Sequence, residues 1–137
     1  SCMHPAFDKQ YAIKNDIIFF EHKKQLIKST EFGPRSIPRF VNSGNNIEQT
    51  IELLGSANTI FTNSYHGAYW GTLLKKRVIV VDVWSTKFWF LKHSPILAGK
   101  DFSNIDQYID QAEIYPQALQ ECKQVTQDYW NEVKPML

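Results

Sequence analysis

The stretch 58–83, NTIFTNSYHGAYWGTLLKKRVIVVDV, constrains the fold more than any other part of the chain. It opens on a short apolar run, with Ile60 and Phe61, that ends at Thr62. It closes on 77–83, where four valines and one isoleucine make β-branched residues dominant. Both runs suit strands. Between them Tyr65, Ala68, Tyr69, Thr72 and Leu73 recur at i, i+3, i+4, i+7 and i+8, one face of a helix, and Gly67, Trp70, Gly71 and Leu74 take the opposite face. No charge interrupts this helix before Lys75 and Lys76, where cations complement the carboxyl end of the dipole. A helix that is apolar all round must be covered on both sides, so it is expected between a sheet and a further layer. The stretch therefore predicts a βαβ unit with parallel strands. Its turn, TNSYHG, then sits at the carboxyl end of a strand and the start of a helix, where open α/β sheets bind ligands.

The remaining segments extend this unit. Residues 1–15 are mixed in polarity, contain Pro5, and read as a connecting segment that packs down. DIIFFE, residues 16–21, reads as the first strand and is expected beside 58–62 in the sheet interior. Gly33, Pro34 and Pro38 make 25–38 loop-like, with one helical turn around Leu26. Residues 39–41 resume a short strand, closed by Asn42, Ser43, Gly44 and Asn45. The helix that follows has Asn45 or Asn46 as its cap, Glu48 in capping-box position to Asn45, a stripe of Ile47, Ile51 and Leu54, and Gly55 at C′. WSTKFWFLKHSP allows a short helix from near Ser85 that ends before Pro95. A turn or short helix is expected around 103–109. The last helix, with Pro116 at N1, runs to about Val133 and buries Leu119, Cys122, Val125, Tyr129 and Val133. The sum is a Rossmann-like three-layer α/β/α sandwich with about four parallel strands. Further strands lie upstream of Ser1, or the sheet is small.

A length of 137 residues fits one domain, or part of a larger protein, and suffices for a substantial core. The opening SCMHP, with no initiator methionine and no leader, reads as a processed protein or a domain of a longer one. Fifteen Lys and Arg against 14 Asp and Glu give no support for a nucleic-acid partner. The longest apolar run, 78–81, is far too short to span a bilayer. Cys2 and Cys122 lie far apart in sequence and form no metal-ligand cluster, so a reducing compartment is expected rather than a disulfide framework. The many aromatic residues supply core for the most part, with some available for an interface or a ligand wall.

His66 is the leading candidate for chemistry. It falls in the first turn of a helix directly after a buried strand, where the backbone N–H groups of residues 64–67 can hold an anion. An imidazole there can hydrogen-bond a phosphate or exchange a proton near neutral pH. Gly67 permits close approach of a ligand or of a neighbouring strand. A histidine that caps its own helix, with Gly67 and Gly71 present for packing, accounts for the same residues equally well. Thr62, Asn63 and Ser64 are good turn and cap residues, and they belong to a site only if His66 does. His22 and Lys23 follow the first strand and Lys87 follows the last, on the same edge as His66, where they suit a negatively charged ligand. Solvated surface charges are the competing reading for Lys23, Lys24 and Lys87. His4, His93 and Cys2 have no identifiable partner. No GxGxxG, Walker A, GxSxG, HExxH or metal-type Cys/His spacing occurs, so neither metal nor cofactor is expected.

The block 47–87 resembles the polysaccharide pyruvyl transferase family. It consists of a helix IEQTIELLGSA, a strand NTIFT, the turn NSYHG, an apolar helix, the strand RVIVVDV and Lys87. The family's signature turn has the form S-R-L-H-G or D-S-F-H-G, and Asn63-Ser64-Tyr65-His66-Gly67 fits the second. SCMHPAFD followed by DIIFFEHK is similar to the family's entry into its C-terminal domain, so the likeness covers roughly two-thirds of the chain. The resemblance implies a bacterial, cytoplasmic GT-B-like enzyme of two Rossmann-type domains, of which this chain is the C-terminal one. Such enzymes build cell-surface or exopolysaccharides by transferring pyruvate from phosphoenolpyruvate to a sugar as a ketal. The implied partners are a phosphoenolpyruvate or nucleotide-sugar donor, a glycan acceptor and the N-terminal domain of the same enzyme. A lipid-linked acceptor would bring it to the inner face of the membrane without a membrane span. His66 matches an active-site histidine of the family. Asn63, Ser64, Tyr65, Gly67, His22 and Lys87 are the candidate substrate-binding residues around it. One departure matters, because Ser64 stands where the first form has an arginine, and a hydroxyl does not replace a guanidinium fork. A nucleotide-sugar glycosyltransferase domain, a non-catalytic module for a phosphorylated ligand and an assembly domain with an aromatic docking surface are the alternatives.

Overall fold

The computed structural model describes residues 2–24, 37–44, 46–99 and 104–137. Asn15–His22 (β1), Arg39–Asn42 (β2), Ala57–Thr62 (β3), Arg77–Val80 (β4) and Ile96–Leu97 (β5) form one sheet in the order β2-β1-β3-β4-β5. Every pairing is parallel. With the helices Ile47–Gly55 (α1), Tyr65–Leu73 (α2), Ile105–Gln111 (α3) and Ala118–Val133 (α4), the chain is the expected Rossmann-like α/β/α sandwich. β3 is the central strand and pairs with β1 in the register Ile18↔Ile60 and Phe20↔Thr62, so 58–62 does lie beside 16–21.

Strand alternation separates the two sides of the sheet. Ile17, Phe19, Phe61, Ile79 and Val81 share one core with Ile105 and Ala112 at the two ends of α3. Ile18, Phe20 and Ile60 pack on the other side against Leu54 of α1, and Val78 and Val80 pack against Ala68 of α2. Burial of each such side chain is worth about 1.5–3 kcal/mol, which is why strands covered on both faces are nearly continuous apolar runs. α2 lies between the sheet and an outer layer made of α4 and the 3-10 turn Pro5–Asp8, as its uniform apolarity requires. Gly67 and Gly71 allow that helix to sit close to the sheet. A Cβ at Gly67 would lie 2.5 Å from Thr62 Oγ1 and 2.7 Å from Phe20 Cδ1, and one at Gly71 2.9 Å from Ile60 Cδ1.

The structure departs from the sequence-based expectation at several ends. It adds β5, whose two residues are too few to show a period. β4 stops at Val80 rather than Val83, because Asp82 adopts φ 49° and turns the chain, although the Val81 N–H still donates to the Thr62 carbonyl at 2.9 Å. Asn46 caps α1, accepting from the Gln49 N–H at 3.1 Å. Asn45, Ser103 and the expected turn around Leu26 lie outside the described residues. The stretch after Ser85 is a 3-10 helix, Thr86–Phe90, capped by Ser85. Pro116 precedes the cap residue Gln117 and is not N1. Val125 and Tyr129 of α4 were expected inside but are 61% and 65% exposed. Ala118, Leu119 and Cys122, in the first turns of α4, share a cluster with Tyr69 and Leu73 of α2, whereas Val125 and Tyr129 further along the helix face solvent.

Candidate functional site at the carboxyl edge of the sheet

From β1 the chain passes to β2 on one side, then returns across β1 to β3 on the other. The order therefore reverses between β1 and β3, and the crevice outside their carboxyl ends is where folds of this kind bind ligands. His22 ends β1 at this place and Asn63 follows β3.

Asn63 is fully buried. Its Oδ1 accepts the His22 backbone N–H at 2.8 Å, and its carbonyl accepts the Trp84 indole N–H at 2.7 Å. One residue thus ties the end of β1, the β3–α2 turn and the segment after β4. Thr62 Oγ1 donates to the Phe20 carbonyl at 2.6 Å and accepts the Ser64 N–H at 3.0 Å. Ser64, also fully buried, caps α2 by accepting the Gly67 N–H at 3.3 Å, and takes a second bond from Asn42 Nδ2 at 3.3 Å. At the end of β1, Glu21 is buried in an ion pair with Arg39 of β2 at 2.5 Å.

These bonds revise the expected anion site. The Ser64 N–H is taken by Thr62 and the Gly67 N–H by Ser64. The remaining donors of the first turn are Tyr65 and His66, which have no intrahelical acceptor at that end of a helix. Of the sequence candidates, Asn63, Ser64 and Gly67 thus form the buried floor of the turn, while His66, Tyr65, His22 and Lys87 border its open side.

His66 is exposed, with its ring centroid 4.9 Å from that of Trp70 and 6.1 Å from that of Tyr65. Partial burial against these rings lowers its pKa below the ordinary 6.5, and the positive charges of Lys87 and His22 act in the same direction. A neutral imidazole is therefore favoured at pH 7. Tyr65 packs on Phe88 at 6.0 Å and on Tyr69 at 6.3 Å, and the Lys87 ammonium stands 6.0 Å from its ring centroid. His22 lies 4.9 Å from the Trp84 ring, and its Nδ1 accepts the Lys24 N–H at 3.1 Å, which puts the proton of the neutral ring on Nε2. Lys23 and Lys24 are exposed, in keeping with solvated charges.

Trp84, Trp70 and Asn42 were not anticipated at this edge. Trp84 is the first residue beyond the β-branched run, and Trp70 is four residues after His66, so position relative to strand end and helix turn was the available signal. The other side chains left without partners have structural ones. His4 Nδ1 accepts the Ala6 N–H at 3.1 Å, and His93 Nε2 lies 2.7 Å from Glu121 Oε2.

Among the described residues, no group of three His, Cys, Asp or Glu side chains is placed to hold a metal ion, and no helix is long and apolar enough to cross a membrane. No protein-family model, curated protein or solved structure matches the chain.

Proposed function

We propose that the chain is the donor-binding domain of a transferase in cell-surface or exopolysaccharide biosynthesis, which moves pyruvate from phosphoenolpyruvate to a sugar as a ketal. The observation that carries this reading is His66 at the first turn of α2. It is an exposed imidazole of lowered pKa beside the Tyr65 and His66 N–H groups, which have no acceptor within their own helix, with Lys87 near enough for its charge to be felt. The resemblance of the turn NSYHG to the family signature supports it. In the proposed reaction the helix terminus and Lys87 hold the phosphate. His66 takes the proton of a sugar hydroxyl and passes it to carbon 3 of the enol as the hydroxyl oxygen bonds to carbon 2. A second hydroxyl replaces the phosphate, which leaves with that hydroxyl's proton. His66 serves as the general base and acid for these transfers. The N-terminal domain of the same enzyme and a glycan acceptor complete the site in the cytoplasm.

One observation favours a second reading. Ser64 replaces the arginine of one family form, and its hydroxyl is spent on capping α2. A nucleotide-sugar donor held by its diphosphate at the helix end, or a phosphorylated ligand bound without turnover, needs no guanidinium there.

The test is transfer by the full-length enzyme with phosphoenolpyruvate and with nucleoside-diphosphate sugars. His66→Ala is expected to lower transfer on the order of 10²–10⁴-fold while leaving the melting temperature near wild type. Phosphoenolpyruvate, pyrophosphate and nucleoside diphosphates, titrated against the amide signals of Tyr65 and His66, separate the donors. Wild-type transfer by the variant would make His66 structural. Turnover with a nucleotide sugar alone would select the second reading.

A further inference from the structure

The two cysteines lie near opposite ends of the sequence, and the fold brings them into one cluster. Cys2 is buried at 3% exposure beside Ala6, Phe7 and Ala118, and Cys122 packs on the same cluster. The Cys2 sulfur is 3.5 Å from Thr126 Oγ1, and Thr126, one turn beyond Cys122 on α4, donates its hydroxyl to the Cys122 carbonyl at 2.9 Å. Residues four apart on a helix are surface neighbours. Cys2 and Cys122 thus share Thr126 and one apolar cluster, and Cys122 Sγ lies 2.8 Å from the Tyr69 hydroxyl. Both thiols are free.

Access to the pair is one-sided. Cys122 lines a cavity of about 270 Å³ with Tyr69, Leu73, Leu91, Ala118 and Val125, which admits a small reagent to it, whereas Cys2 is buried and lines no part of that cavity. The seam that the pair spans is otherwise non-covalent, and an ion pair from Lys123 to Asp8 also crosses it.

We propose that Cys2 and Cys122 are a reversible dithiol–disulfide pair that exchanges with low-molecular-weight disulfides and, when oxidised, staples the amino-terminal segment to α4. The Cys122 thiolate attacks one sulfur of the small disulfide, whose S–S bond breaks and releases one small thiolate. The Cys2 thiolate then attacks the Cys122 sulfur of the mixed disulfide and expels the second small thiol. Two protein thiols are oxidised to one disulfide and the small disulfide is reduced to two thiols. The two protons pass from the cysteines to the leaving groups. Excess small thiol reverses both steps. Burial raises the Cys122 pKa, so the forward rate rises as the pH approaches it. The bond closes a loop of nearly the whole chain, the case in which a cross-link restrains the unfolded state most.

The experiment is incubation of the purified chain with oxidised glutathione at mildly alkaline pH. The expected product has lost two hydrogens by intact mass, carries no adduct and has no reactive thiol. It melts higher by about 5 °C or more and returns to the starting mass with excess reduced glutathione. Cys2→Ser should stop at a single adduct on Cys122 with no gain in melting temperature. Cys122→Ser should stay largely unreacted, because only the buried thiol remains. A stable glutathione adduct on the wild type, disulfide-linked dimers, or no reaction where the urea-unfolded chain oxidises readily would each overturn the proposal.

Discussion

His66 shows how one side chain is set both by its own helix and by distant segments. The imidazole packs beside Tyr65 and Trp70 of α2, and its proton affinity depends also on Lys87 and His22, which come from other segments. Because its folded-state pKa lies below 6.5, the unfolded chain binds the proton more tightly. Stability therefore rises with pH between the depressed value and 6.5, and is lost as the pH falls through that window. Urea midpoints measured across it should climb more steeply for the wild type than for His66→Gln. Equal slopes would mean that the ring is not desolvated. Asn63 is the contrasting residue. As a turn residue in a candidate site it invited a ligand-binding role, but its side chain holds His22 and its carbonyl holds Trp84, so it positions both aromatic-flanked walls.

Two glycine-sensitive points in α2 test the packing of that element. Gly67 lies against Thr62 and Phe20, so Gly67→Ala must push the helix from the sheet or displace the Phe20 ring. A loss of about 1–3 kcal/mol is expected for such overpacking, read from the urea midpoint at unchanged slope. A neutral result would show that the helix floats on the sheet. At the other end, Lys75 takes φ 63°, with the Lys76 N–H bonded to the Gly71 carbonyl at 3.0 Å and the Lys75 N–H to the Thr72 carbonyl at 3.1 Å. That is a Schellman motif with lysine where glycine is the usual residue. Lys75→Gly should relieve the left-handed strain and stabilise by about 0.5–1 kcal/mol, and a destabilised variant would count against it.

At the scale of the whole molecule, the layers divide aromatic residues that both fall on the apolar face of their own element. Phe61 of β3 is fully buried between two layers, whereas Tyr129 of α4 is 65% exposed. Phe61→Ala is expected to cost about 3–5 kcal/mol, while Tyr129→Ser should stay within about 0.5 kcal/mol. A large loss at Tyr129 in the isolated chain would place the outer half of α4 against the body of the protein after all.

The βαβ unit, the central place of 58–62 and the covering of α2 on both sides were legible in the sequence. Strands buried on both faces and a helix with no polar side leave a period and a composition that only one layered arrangement satisfies. The turn that carries His66 was legible for the same reason, since it joins two such elements. The sequence could not show that Asn63 and Ser64 face inward, that Trp84 and His22 meet, or that Cys2 and Cys122 join one cluster. Each of those depends on segments distant in the chain meeting at the carboxyl edge or in the outer layer. The pattern of α4 likewise specifies an apolar stripe but not where its neighbour ends. A periodic sequence records which face of an element seeks cover, and the tertiary structure decides how much of that face is covered and by what.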